Sequence, residues 1–267
     1  MIEKVQHFNT LLFQEREPGI GLITMNRRDQ LNAINMEMLG EFRELFQALT
    51  DDDTIRVVII TGAGRGYSSG ADLKDAVTHK DTAVFADPET FLKNVQEQYS
   101  DLIIGMRKIP QPIISAVNGP AAGGGFCMAL ASDIRVASPE AYFVASFINI
   151  GLSGGELGSS FLLPRLVGLS RASDILFTGR KVMADEAEKI GLVSRVVPKE
   201  ELVEAALSYA RMMVVKSRGG LKLTKRVLDE NLFASSLQTA INLENRNQTL
   251  MIFSGEFFKL IQSFYKG

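Results

Sequence analysis

Glycine is gathered in this chain rather than spread along it. Clusters fall at 61–70, 119–125 and 151–158, and each follows or adjoins an apolar, β-branched run. Val57-Val58-Ile59-Ile60 precedes the first and Ile113-Ile114-Ser115-Ala116-Val117 the second, while Ile134-Arg135-Val136 and Tyr142-Phe143-Val144 lie between the second and third. Short continuous apolar runs bounded by turn residues are the pattern of buried strands. Between them the period changes. Ile34, Met38, Phe42, Leu45, Phe46 and Leu49 recur at spacings of three and four, one face of a helix that Asn35 can cap. The stretch 91–107 is helix-like and stops before Pro110. Leu11 to Phe13 and Leu22 to Met25 read as an antiparallel pair turned at Pro18-Gly19. Strands alternating with helices predict an α/β fold with right-handed crossovers.

From about residue 199 strand signals vanish, and 202–215, 221–228 and 236–253 are helical. The sequence thus divides into an α/β core, 1–198, and a helical C-terminal subdomain, 199–267. The last segment, 257–265, is too apolar to leave in water and is expected to pack on a neighbour or on the body.

With one cysteine, Cys127, an intrachain disulfide is excluded, and with only His7 and His79 besides, a transition-metal cluster is not expected. The formal net charge of -2 offers no basic stripe for nucleic acid or a membrane surface. No apolar run approaches the length of a bilayer span. Residues 1–9 carry charges and no long apolar stretch, so no signal peptide is expected and the chain is expected to be cytoplasmic.

Three motifs fail on their chemistry. Gly66-Tyr67-Ser68-Ser69-Gly70 and Gly151-Leu152-Ser153-Gly154-Gly155 match the nucleophile elbow G-x-S-x-G, which needs a histidine base further along. None follows Ser153, and His79 stands too near Ser68. Gly62, Gly64 and Gly66 have neither the dinucleotide spacing nor a phosphate-binding lysine, and a mobile surface turn is expected there. Cys127 lies in the apolar run 126–131 without a nearby cation or histidine, which is the setting of a small buried residue and not of a nucleophile.

What remains is a pair of turns. Ser69-Gly70-Ala71-Asp72-Leu73 is a tight turn of small residues, and Gly123-Gly124-Gly125 opens a helix after a strand and the Asn118-Gly119 turn. Successive glycines are costly in backbone entropy. They suit a place where main-chain N–H groups approach a ligand, and a helix N-terminus adds its positive dipole end. One N–H from each turn would then make an oxyanion hole. The same glycines also suit close helix–strand packing alone.

Asn26-Arg27 with Leu31-Asn32-Ala33, then the stretch from Gly66 to Leu73, then Ala116-Val117-Asn118-Gly119-Pro120-Ala121-Ala122-Gly123-Gly124-Gly125, then Ser132-Asp133-Ile134 resemble the enoyl-CoA hydratase/isomerase (crotonase) superfamily. Leu163-Pro164-Arg165-Leu166-Val167-Gly168, Thr178-Gly179-Arg180 and Ala184 through Gly191-Leu192-Val193 extend the likeness over nearly the whole chain. The resemblance implies a spiral of repeated β-β-α units, a helical C-terminal trimerisation region, and homotrimers or dimers of trimers. It implies a coenzyme A thioester as substrate, with no separate cofactor. The thioester oxygen would be held by the N–H groups of Ala71 and Gly124, and the adenine and pantetheine side would lie along Gln30, Leu31, Ser69, Ala71, Asp72 and Leu73.

The sequence departs from that pattern where a hydratase carries two glutamates. Cys127 and Phe147 stand at those positions, and neither transfers a proton usefully. Glu156, in Gly154-Gly155-Glu156-Leu157-Gly158, resembles the acid that some isomerase branches carry in this loop. Its glycine and apolar neighbours suit a partly desolvated proton-transfer group, although an exposed turn glutamate or a helix N-terminal charge fits the same pattern. Asp72 is the weaker candidate, a capping or structural acid. The expected function is therefore acyl-CoA processing of the hydratase/isomerase type, with Glu156 moving the proton. An acyl-CoA hydrolase or decarboxylase on the same fold, and a CoA-ester-binding protein without turnover, remain as alternatives. The stretch 77–91 is expected to cover the acyl pocket, with Phe85, Phe91 and Phe147 lining it or serving as plain core.

Overall fold

The computed structural model describes residues 5–74 and 87–264. Three strands open the chain: β1 (Val5–His7), β2 (Leu11–Glu17) and β3 (Ile20–Met25). They run antiparallel, and β2 and β3 turn at Pro18-Gly19, where Gly19 takes φ +80°. Helix α1 (Met36–Asp51) follows, its first turn closed by Asn35, whose side chain accepts from the Met38 N–H at 3.0 Å. Strand β4 (Val57–Gly62) then pairs in parallel with β3.

The predicted helix over 91–107 begins earlier and is irregular. Asp87 caps a short α2 (Pro88–Phe91), a π segment covers Leu92–Gln96, and α3 (Glu97–Lys108) completes it. Next come β5 (Ile113–Val117), β6 (Ala121–Ala122), α4 (Gly124–Ala131), β7 (Ile134–Ala137) and β8 (Tyr142–Val144). After them lie α5 (Ser159–Val167), α6 (Leu169–Thr178), β9 (Val182–Met183), α7 (Ala184–Lys189) and β10 (Arg195–Val196). The helical end consists of α8 (Leu202–Val214), α9 (Arg218–Asn231), α10 (Leu237–Phe253) and α11 (Glu256–Phe264).

Seven strands form one sheet in the order β1-β2-β3-β4-β5-β7-β10, parallel from β3 onward, and β6, β8 and β9 form a second, small sheet. The unbroken apolar run of β4 has a physical cause: both faces of that strand are covered. Val58 and Ile60 join the main core with α1, α3 and α4. Val57 and Ile59 meet Leu202, Ala206, Leu207 and Ala210 of α8 on the other face. The helical region beyond residue 199 thus begins with a helix that seals the sheet.

Helix α9 is fixed differently. Its buried Lys225 donates to the Met106 and Gln111 carbonyls at 2.9 and 2.8 Å and lies 3.4 Å from the Asp133 carboxylate. Farther out, Leu237, Phe253, Phe257 and Phe258 are exposed, so the apolar end expected to find cover leaves Phe257 and Phe258 without it on the body. No helix among the described residues is long and apolar enough to cross a membrane.

Candidate active site

The two glycine turns meet. Ser68 forms a parallel bridge with Ala121, receiving the Ala122 N–H and donating to the Pro120 carbonyl at 2.9 and 3.0 Å. Two residues on, Ile34 donates its N–H to the Gly70 carbonyl at 2.7 Å and accepts the Asp72 N–H at 2.9 Å. In such a parallel bridge the middle residue, Ala71, turns its own N–H away from Ile34. The Ala71 N–H therefore has no acceptor among the described residues. The Gly124 N–H, first of α4, has none there either, as expected of the opening turn of a helix. A Cβ on Gly70 would lie 3.0 Å from the Gly124 nitrogen and 2.7 Å from the Ala122 carbonyl oxygen, and Gly70 and Gly123 take φ +90° and +50°. Here glycine is required twice over, by conformation and by closeness. Two N–H donors without an acceptor among the described residues thus come from turns far apart in sequence that pack on one another, with the helix dipole behind one of them.

The third glycine cluster brings the acid. Glu156 is half-buried. Its N–H donates to Ser159 Oγ at 3.0 Å, and its carbonyl accepts a weak hydrogen bond from Cys127 Sγ at 3.4 Å, one turn into α4. Its carboxylate Oε1 accepts from Gln96 Nε2. The next residue, Leu157, holds φ +45°, a strained conformation for a leucine, and its Cδ1 would lie 3.8 Å from a Cβ on Gly124. The acid loop therefore packs directly on the second glycine turn. Burial pushes the Cys127 thiol well above its ordinary value, and the Glu156 charge adds to that shift. The thiol stays protonated, and a proton-transfer role is closed to it. Phe147 is buried, with its Cε1 3.5 Å from a Cβ on Gly123, so the ring lies against the same turn.

The residues assigned to the coenzyme side are also gathered. The Ser69 N–H donates to the Leu31 carbonyl at 3.0 Å and its Oγ to the Gln30 carbonyl at 3.3 Å. Leu31 and Asn32 both take positive φ, 51° and 54°. Gln30 and Leu73 are exposed, while Leu31 and Asp72 are half-buried. Asp72 pairs with Arg27 at 2.9 Å and accepts the Lys74 N–H at 3.2 Å, the structural behaviour expected of it. Arg27 also donates to the Ala33 carbonyl at 2.5 Å, which ties the Asn26-Arg27 motif to the Ala71 turn.

The stretch 62–66 corrects the expectation of a mobile surface turn. Asn118 accepts the Gly62 N–H and donates to the Gly64 and Gly66 carbonyls, and Asn32 donates to those of Ala63 and Gly66. Two asparagine side chains lock the turn. The two elbow serines are structural as well: Ser68 Oγ is buried against the Asn32 carbonyl, and Ser153 Oγ accepts the Gly155 N–H. Phe85 and the first part of 77–91, through residue 86, lie outside the described residues, as does His79. Sequence reasoning passed over Gln96, Tyr99 and Ser159. The only trace of the first two was a polar pair three residues apart within the helix-like stretch 91–107.

Residues 15–265 match the family model described as enoyl-CoA hydratase/isomerase. The "Probable enoyl-CoA hydratase EchA12" of Mycobacterium tuberculosis is 46% identical over 238 residues, which is 89% of this chain and 83% of that protein. Among solved structures, a probable enoyl-CoA hydratase/isomerase from Mycobacterium abscessus is 42% identical with a TM-score of 0.83, covering 91% of this chain and 90% of that one. A monofunctional enoyl-CoA isomerase from M. smegmatis is 41% identical with a TM-score of 0.74, covering 88% and 99%.

Proposed function

The chain belongs to the enoyl-CoA hydratase/isomerase family, and from that premise we propose that it shifts the double bond of a 3-enoyl-CoA thioester, with Glu156 carrying the proton. The carrying observation is that the loop bearing the tethered Glu156 carboxylate packs on the turn whose Gly124 N–H, like that of Ala71, has no acceptor among the described residues, while a buried thiol, Cys127, and a phenyl ring, Phe147, stand where the family resemblance expects a hydratase's two glutamates. Hydration needs one group to activate water and another to handle the α-proton. A 1,3-proton shift needs one base that gives back what it takes.

The steps balance within the substrate. The Glu156 carboxylate removes a proton from C2, and the C–H electrons flow into a dienolate whose negative charge rests on the thioester oxygen. Ala71 and Gly124 stabilise that oxygen, a single oriented donor being worth about 3–4 kcal/mol. Protonation at C4 by the Glu156 carboxyl then leaves the double bond at C2–C3, conjugated with the thioester. Gln30, Leu31, Ser69, Asp72 and Leu73 would line the coenzyme side, and Phe147 the acyl side.

The test is to supply a 3-enoyl-CoA, crotonyl-CoA and a dienoyl-CoA and follow the absorbance of the conjugated thioester. The expected result is turnover of the 3-enoyl ester, with kcat lowered by about 10²–10⁴ in Glu156→Gln while ester binding persists. Hydration of crotonyl-CoA at comparable rate would make the protein an atypical hydratase. Release of free thiol or of carbon dioxide would make it a hydrolase or decarboxylase, and saturable binding of all three esters without turnover would make it a binding protein.

The assembly belongs to the same proposal: a homotrimer or dimer of trimers, acting on fatty acyl-CoA in the cytoplasm. The exposed apolar side chains of α9 to α11 and the turn between α9 and α10, among them Leu228, Phe233, Leu237, Phe253 and Phe258, support self-association, which sedimentation reads directly.

A further inference from the structure

Resting on the reading of Glu156 as the base, we propose that Gln96 is its positioning residue, and that the helix face bearing Gln96 and Tyr99 sets the register between the base and the Ala71 donor. Gln96 closes the π segment Leu92–Gln96 and donates Nε2–H to Glu156 Oε1. Tyr99, three residues on, donates its hydroxyl to the Ile34 carbonyl at 2.8 Å. That carbonyl also accepts the Asp72 N–H, the bond that turns Ala71 outward. Residues three apart share a helix face. One face therefore grips the acid loop with its first side chain and, with its second, the Ile34 strip against which the Ala71 turn is paired. A π turn, which recurs at functional sites, inserts an extra residue and so decides which side chain reaches the acid loop.

The division of labour at Glu156 supports this role. Ser159 and Cys127 hold only its main chain. Side-chain orientation falls to Gln96, which occupies Oε1 and leaves Oε2 without a hydrogen-bond partner among the described residues. A neutral amide donor is well matched to holding a base. It fixes the orientation of the carboxylate through one hydrogen bond and places no full positive charge beside it, as Lys or Arg would.

The experiment compares the full-length protein with Gln96→Met, which keeps the length and loses the donor, with Glu156→Gln, and with the double variant. With a 3-enoyl-CoA, Gln96→Met is expected to lower kcat about tenfold, the factor one hydrogen bond to a charged group is worth, with KM within about twofold. It should cause no further loss in the Glu156→Gln background. An equal loss in both backgrounds, or none in either, overturns the positioning role. Full turnover by Glu156→Gln sinks the functional reading instead. A second readout needs no turnover. With ¹³C-labelled glutamate, the side-chain carboxyl resonance missing from Glu156→Gln belongs to Glu156, and it should move in Gln96→Met. A resonance that stays put overturns the proposal whatever the activity.

Discussion

Two glycine-rich regions that look alike in sequence are built on opposite plans. At the paired turns, an added Cβ would strike main chain: Gly70 would sit 2.7 Å from the Ala122 carbonyl oxygen and Gly125 2.4 Å from that of Ser68. In the 151–158 loop, Gly151 has no atom within 4 Å of such a Cβ and Gly158 only ordinary contacts at 3.8 and 3.9 Å; Gly155 would meet the Ser160 side chain at 3.2 Å, and only Gly154 would strike main chain, the Leu176 carbonyl oxygen at 2.3 Å. The donor half of the site is thus made by backbones pressed together. The acid half is a roomier loop tethered by side chains of Ser159, Cys127 and Gln96. Backbone contact fixes two N–H directions with no side chain to mutate away, whereas tethering leaves the acid adjustable by single substitutions.

The largest effect should come from the crowded half. Gly125→Ala forces the Ser68 carbonyl to move, and with it the strip that carries Ala71. Overpacking against main chain is expected to cost about 3 kcal/mol, read as a fall in the urea midpoint, with turnover lost in whatever remains folded. A cost below about 1 kcal/mol would show that the two turns have slack and would erase the distinction. On the tethered side, Ser159→Ala removes the oxygen that accepts the Glu156 N–H and donates to the Gly154 carbonyl. About 1–2 kcal/mol of stability should go with it, and kcat should fall more than KM rises, because the fold survives while the acid drifts. An unchanged kcat would mean that the tether is dispensable.

This contrast explains what the sequence revealed and what it concealed. Strand β4, the Asn35 cap and the turn at Gly19 follow from local rules, since each is decided by residues within one turn or run. The paired turns were legible in part for the same reason: runs of small residues beside strands mark close backbone approach, although the sequence left open whether a ligand or only helix–strand packing required it. The Gln96–Glu156 contact spans 60 residues and depends on a π turn that no apolar period encodes. Nor did the glycines of 62–66 announce that Asn32 and Asn118 would reach across and lock them. Side-chain reach across loops is set by tertiary packing, and only coordinates show it.

Gly151→Ala is the mildest and sharpest check on the contrast. Gly151 ends the 3-10 turn Ile148–Ile150 with φ +84° and ψ 10°, and space around it is open. The added methyl therefore meets no wall, and the cost reduces to holding a non-glycine residue in the left-handed region, about 1–2 kcal/mol. That should lower Tm by a few degrees, about 2–4 per kcal/mol for a chain of this size, with kcat and KM for a 3-enoyl-CoA unchanged. The same alanine at Gly70 would add a main-chain collision to a similarly positive φ, so it should cost clearly more than Gly151→Ala. If Gly151→Ala abolished turnover while melting like the parent, the loop would be serving the ligand with its own backbone, and both regions would belong to one plan.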